Sequence, residues 1–278
     1  ITGAGGNDII TVDSGTDTVL DLGGSSGGET DVVIVNSGAT LNATGIVSFT
    51  ADGSTVNNGG AAANAVLTAR SAGATINVAS AGSGDFTITG GAGADILTGG
   101  GGADIISGGD EADTIIGGGE ADTISGGDAV DTITGGAGAD IIDGGAGNDI
   151  IIIGTSGEAD SDVIDGGADS DVLKLSTGSA DTFSNNDNLV NVETLQAHAS
   201  GSEVVLTGQT EAFTITGGAG TDIITGGSGI DTISGGDAVD TITGAAGADI
   251  IDGGAGNDII IIGTSGEADS DVIDGGAD

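Results

Sequence analysis

Large apolar residues recur along this chain at intervals of nine. From Gly90 to Ile152 the units read GGAGADILT, GGGGADIIS, GGDEADTII, GGGEADTIS, GGDAVDTIT, GGAGADIID and GGAGNDIII. From Gly217 to Ile261 they read GGAGTDIIT, GGSGIDTIS, GGDAVDTIT, GAAGADIID and GGAGNDIII. The position two after the Asp is always large and apolar: Leu97, Ile106, Ile115, Ile124, Ile133, Ile142, Ile151, then Ile224, Ile233, Ile242, Ile251 and Ile260. No apolar stripe of helical period exists, and glycine in a helix interior costs about 1 kcal/mol each. The three residues after each Asp favour strand and the other six favour turn, so two units close a flattened coil of 18 residues. Coils stacked at a strand spacing of ~4.8 Å form two parallel sheets with turns along both edges. Alternation then points the recurring Ile and Leu into a thin core between the sheets. The residue just after the Asp faces outward, and it is apolar at Ile96, Ile105, Ile141 and Ile150 but Thr at Thr114, Thr123 and Thr132. With Ile116, Ile152 and Ile153 these predict outward apolar patches, which a lone soluble solenoid does not need.

The period is interrupted in a regular way. A three-residue expansion around Gly154 to Asp165 precedes one more unit, GGADSDVLK, ending at Lys174. Gly126 to Asp169 and Gly235 to Asp278 match at 43 of 44 positions, differing only at Gly136 against Ala245, so larger units have been duplicated. GAGGNDIIT from Gly3, VDSGTDTVL from Val12 and GGETDVVIV from Gly27 read as the tail of another array. The predicted organisation is the end of an array over 1–35, a spacer over 36–89, an array over 90–174, a spacer over 175–216 and an array from 217 to 278. The spacers keep short β-like runs, such as Ile46 to Thr50, Val66 to Thr68, Thr75 to Val78, Phe86 to Thr89, Val190 to Leu195, Val204 to Thr207 and Phe213 to Thr216. They are expected to continue the solenoid as wider coils that lack the motif, with room for Phe49, Phe86, Phe183 and Phe213. The absence of an initiator Met and the stop inside a motif at Gly275-Gly276-Ala277-Asp278 suggest a piece of a longer protein.

Charge narrows the function classes. The 278 residues carry 43 acids against 2 bases, a net charge of −41, with 60 glycines and no Cys, Pro, Met, Trp or Tyr. Only Arg70 and Lys174 could neutralise phosphate, which excludes nucleic-acid binding. An acidic membrane leaflet would repel the chain, and no run approaches the ~20 apolar residues of a membrane span, so no direct membrane insertion is expected. Without cysteine there is no disulfide scaffold, thiolate nucleophile or Cys-ligated metal.

The turn G-G-x-G-x-D puts one carboxylate at its end, and same-edge turns lie 18 residues apart. Asp95, Asp113, Asp131 and Asp149 line one edge and Asp104, Asp122 and Asp140 the other, with Asp222, Asp231, Asp240, Asp249 and Asp258 in the last array and Asp8 and Asp17 near the start. Like charges one strand spacing apart repel strongly, and a hard divalent cation resolves this. Calcium takes six to eight oxygens at about 2.3–2.6 Å, and glycine-rich turns expose carbonyls that can close on it. Candidate contributors in the turns are Gly90, Ala92, Gly99, Gly108, Gly126, Gly217 and Gly235. The first and fourth turn positions are expected to need positive φ or close backbone approach. Glu111, Glu120, Ala129 and Ala238 replace the fourth glycine and Ala245 a second one, which predicts altered geometry there. Asp110, Asp128 and Asp237 offer either an extra carboxylate or only a main-chain carbonyl. A solvated acidic edge that blocks strand pairing is the plainer alternative. It suits Glu158, Asp160, Glu267 and Asp269 in the expanded loops, but solubility does not require the strict phase of the motif aspartates.

The nonapeptide G-G-x-G-x-D-x-U-x, with U large and apolar, resembles the RTX, or haemolysin-type, calcium-binding repeat. The resemblance implies an all-β fold, a right-handed parallel β-roll or β-helix solenoid with calcium-binding turns on both edges, and calcium at the aspartates named above. It also implies type I secretion and folding outside the cell. Tandem arrays with spacers, including a segment like Asn188 to Leu195, are similar to bacterial surface-layer proteins and large adhesins. The expected role is a calcium-stapled structural segment of a secreted cell-surface protein, in a lattice, filament or adhesin stalk. About ten calcium ions would cancel about half of the charge. Partners would be other copies, with surface polysaccharide or a host-cell ligand left to regions outside this chain. The alternative is the carrier and folding module of a secreted enzyme or toxin. Catalysis within the chain is not expected: Gly23-Gly24-Ser25-Ser26-Gly27 fits a hydrolase pattern by chance in so glycine-rich a sequence, and the lone His198 is expected to be an exposed spacer residue.

Overall fold

The computed structural model describes residues 8–12, 15–20, 32–35, 39–46, 48–50, 56–57, 65–69, 73–153, 161–176, 180–183, 188–262 and 271–277. These residues form strands, turns and bends with no helix, hence no helix that could cross a membrane. The chain is a parallel β-solenoid divided into two compact units, Ile1–Gly147 and Asn148–Asp278. Gly23 to Gly27, Glu158, Asp160, Glu267 and Asp269 lie outside the described residues.

In the first unit one sheet stacks Thr75–Asn77, Ile96–Thr98, Thr114–Gly119 and Thr132–Ala137, each parallel to the next. The facing sheet stacks Ala65–Ala69, Phe86–Ala92, Ile105–Asp110, Thr123–Asp128 and Ile141–Ala146. Register follows the sequence period, with Ile106 beside Ile124 and Ile115 beside Ile133. Five consecutive strands of this array, from Ile105–Asp110 to Ile141–Ala146, run to six residues instead of the expected three. The cause is the Gly-Gly pair, whose backbone stays in the ladder, Gly109 pairing with Gly127. Spacer strands continue both sheets, with Ala39–Ile46 on Ala65–Ala69 and Ser48–Thr50 on Thr75–Asn77.

The second unit repeats this plan through Val172–Leu175, Thr194–Gln196, Thr214–Gly218, Thr232–Gly236, Ile250–Asp252 and Val272–Asp274. Facing them are Glu203–Val205, Ile223–Thr225, Thr241–Thr243 and Ile259–Ile261. Ile150 pairs with Val172, and Asp149 bonds to Asp171 across 22 residues, so the expansion adds four residues to the 18-residue winding rather than three.

The core is the predicted file of Leu97, Ile106, Ile115, Ile124, Ile133, Ile142, Ile151, Ile224, Ile233, Ile242 and Ile251, all buried, while Ile260 in the last array is half-buried. Phe49, Phe86, Phe183 and Phe213 are buried in the wider spacer coils, as expected. Ile96, Ile105, Ile116 and Ile141 are exposed. Ile153, expected outward, is buried instead: strict alternation from Ile150 brings it to the inward position where other coils carry the first glycine of the turn.

Candidate metal centre

Each motif strand is preceded by its Asp, and alternation carries the carboxylate inward on the same face as the core Ile two residues later. Asp95, Asp104, Asp113, Asp122, Asp131, Asp140 and Asp149 are at most 3% exposed, and Asp222, Asp231, Asp240 and Asp249 are fully buried. A solvated acidic edge is therefore not what these residues form.

One carboxylate oxygen of each joins a ladder. The backbone N–H of Asp95 donates to Asp113 Oδ1 at 2.7 Å, and that of Asp113 donates to Asp131 Oδ1 at 2.7 Å. On the other edge Asp104 donates to Asp122 at 2.7 Å and Asp122 to Asp140 at 2.8 Å. In the second unit Asp222 donates to Asp240, Asp240 to Asp258, and Asp231 to Asp249. The edge assignment by 18-residue spacing thus holds within each unit. Periodicity could not reveal the ladder, since it depends on which oxygen meets which amide.

The second oxygen is the one that points to a ligand. Oδ2 of Asp95, Asp113, Asp122, Asp222, Asp240 and Asp258 is buried with no hydrogen-bond partner. Leaving such an atom unsatisfied costs about 1–3 kcal/mol, more when charged. Each is aimed over the first glycine of its turn. A Cβ built on Gly108 would lie 2.5 Å from the Gly126 carbonyl oxygen of the next coil and closer still to Asp113 Oδ2. The same pairing recurs over Gly90, Gly99, Gly117, Gly126, Gly217, Gly226 and Gly235. The first glycine is needed for space, whereas positive φ belongs to the second and fourth positions, as at Gly109 (φ 121°) and Gly138 (φ 145°).

Burial pushes the Asp122 carboxyl up to about 7, against the lowering by the Asp104 N–H it accepts, and the charges of Asp104, Asp140 and Asp85 push the same way as burial. Burial likewise raises Asp104, Asp113 and Asp222 to about 6, and raises Asp95, Asp231 and Asp240. A buried file of carboxylates without counter-charge favours protons, and a divalent cation supplies the missing charge. Among the described residues no three His, Cys, Asp or Glu side chains gather at one point. Each cradle instead combines a carboxylate with stacked main-chain carbonyls, an oxygen-only donor set that fits calcium and offers nothing to softer metals. When bound, calcium would neutralise Oδ2 and draw those oxygens onto one centre.

The third-position aspartates stand apart from these files. Asp110, Asp128 and Asp237 are exposed. Asp110 and Asp128 end two paired strands in register, Gly109 lying on Gly127, and their outer neighbours are Ala92 and Ala146, while Asp237 lies beside Ala255. Asp8 precedes the strand Ile9–Val12 and is half-buried. Asp17 is half-buried within Gly15–Leu20, its neighbour in the next coil being Leu41. His198 is half-buried rather than exposed, with Nδ1 2.7 Å from Ser200 Oγ. Sequence reasoning missed Asp162, Asp171 and Asp271. Asp162 and Asp171 are buried, and Asp249 donates its N–H to Asp271 Oδ1 at 3.0 Å. Asp171 had a complete motif unit as its signal, whereas Asp162 and Asp271 keep only the Asp-Val-Ile of the strand start.

The RTX calcium-binding nonapeptide repeat matches residues 1–19, 71–106, 80–115, 116–151, 156–179, 214–233 and 225–260, more than half of the chain. No curated protein matches it. Repeats of this kind bind calcium and typically occur in secreted proteins. A cradle of carboxylate and carbonyl oxygens renewed with every nonapeptide is the physical content of that match, and the chain belongs to the RTX calcium-binding nonapeptide repeat family.

Proposed function

We propose that this chain is a calcium-stapled structural segment of a secreted bacterial cell-surface protein, one that folds and assembles with other copies when it meets extracellular calcium. The carrying observation is the buried Oδ2 file. Carboxylates so placed oppose folding until a cation arrives, so binding and folding are one event. Without calcium the net charge of −41 keeps the chain extended, and millimolar calcium suits the weak affinities of extracellular modules. The chain works as a scaffold rather than a catalyst.

Assembly through the outward sheet faces is supported by Ile96, Ile105 and Ile141, each more than half exposed, and by Ile223, Ile250 and Ile259 in the other unit. Circular dichroism during a calcium titration, followed by electron microscopy, tests both parts. A β signal that rises with calcium and sheets or fibres that follow it are expected. A β signal unchanged in chelator contradicts the folding mechanism, and order unchanged in Ile96→Lys with Ile105→Lys removes the assembly surface.

A further inference from the structure

The carboxylate file of the second unit runs past the end of the nonapeptide motif. Asp149 donates its N–H to Asp171 Oδ1 at 2.7 Å, and Asp171 donates its own to Glu193 Oε2 at 2.7 Å. Glu193 closes Asn191-Val192-Glu193, a turn without glycine in the segment between the arrays. One coil further on, Phe213 stands where the carboxylate would be, since Thr214 donates to the Glu193 carbonyl and Phe213 donates to Asp231 Oδ1. Glu193 therefore ends this run of acids, which Phe213 interrupts before Asp231.

Asp171 is fully buried, and its Oδ2 has no hydrogen-bond partner. That oxygen is aimed over Gly166, where a Cβ would lie 2.7 Å from it and closer still to the carbonyl oxygen of Asn191. Asn191 holds that carbonyl in place through its own conformation. Its φ is 53°, a left-handed value that Asn tolerates better than most residues, and its side-chain amide donates to Asp165 Oδ1 at 2.7 Å. The convergence of a buried carboxylate oxygen with the next coil's carbonyl is that of Asp113 and Gly126, but built from different residues. Glutamate, one methylene longer than aspartate, reaches back across the shorter turn to accept the Asp171 N–H.

We propose that Asp171 Oδ2, the Asn191 carbonyl and the Glu193 carboxylate form an additional calcium site, joining a motif coil to a spacer coil. The proposal rests on reading the motif turns as calcium sites and extends it to a turn that lacks the motif. Its position gives it a job. Val163–Asp165 pairs with Leu189–Val190, whereas Ala180–Thr182 starts the separate sheet that continues through Glu203–Val205. One face of the solenoid thus changes strands here, while the other passes unbroken from Val172–Leu175 to Thr194–Gln196. An ion between Asp171 and Glu193 clamps the two coils at that changeover, so that loading one array steadies the start of the next.

A crystal structure of the full chain grown in calcium, with anomalous maps at long wavelength, tests this directly. A peak bounded by Asp171, Asn191 and Glu193 is expected, together with peaks at the motif turns. Equilibrium dialysis with radioactive calcium should find one ion fewer per chain in Glu193→Gln, a near-isosteric change that can still accept the Asp171 N–H. Peaks at the Asp113 and Asp222 turns with none at Asp171, or an unchanged ion count in Glu193→Gln, overturns the proposal and leaves the motif sites standing. No calcium peak anywhere defeats the motif reading as well.

Discussion

The turns of the motif coils and those of the spacer coils enclose the same inward space and fill it with opposite chemistry. Gly99 and Asp104 flank one motif turn; one coil earlier the equivalent flanks are Val78 and Phe86, both buried. Gly226 and Asp231 flank another, preceded by Leu206 and Phe213. The backbone does not notice the exchange: Phe86 and Phe213 still donate their N–H groups to Asp104 and Asp231 Oδ1, at 2.7 and 2.9 Å. The edge of this solenoid can thus be closed by hydrocarbon, permanently, or by a carboxylate cradle that waits for a cation. Distributing the two along one chain confines calcium dependence to particular coils.

Calcium removal should separate the two kinds of coil most strongly. At limiting calcium, hydrogen exchange should accelerate in Ile105–Asp110 and Thr241–Thr243 well before it does in Thr75–Asn77, since each site held at a hundredfold its dissociation constant contributes about 2.7 kcal/mol. Equal acceleration would erase the distinction. Acid should substitute for calcium in the motif coils alone. Folded-state pKa values raised to about 6 for Asp104, Asp113 and Asp222 and about 7 for Asp122 stabilise the metal-free fold fully below the ordinary carboxylate value of 3.8. That contribution disappears as pH rises through 6 to 7. Circular dichroism in chelator should therefore gain β signal between pH 8 and pH 4, and with calcium present the same protons should compete with the ion. Phe213→Ala should cost about 3–5 kcal/mol of stability in saturating calcium, a loss that more calcium does not restore. The smallest effect concerns turn strain. Ala129 stands at φ 81° where intact motifs have glycine, and Ala129→Gly should raise the melting free energy by about 1 kcal/mol.

Much of this was legible because a strict period fixes phase. The inward Ile file, the two edges and the aspartates needed only the count of residues per winding. Where the count slips, phase is set by closure of the coil in space. Hence the expansion before Asp171 was undercounted and Ile153 was assigned to the wrong face. Glu193 was hidden for a further reason: it belongs to no motif, and only the Asp171 amide identifies it as the successor of an aspartate. The separate duties of Oδ1 and Oδ2 lie below what residue identity can express. The second glycine's positive φ was missed because its constraint comes from the carbonyl of the coil beneath, as Gly91 does to Gly109.

The amide-to-carboxylate ladder runs one way. Each motif winding lends its acid to the amide of the winding before it and relies on the one after for its own acceptor. The stack consequently has a polarity, like a filament with unlike ends. A stack of such windings has amides in want of an acceptor at one end and carboxylates in want of a donor at the other, so only head-to-tail growth supplies the missing partner.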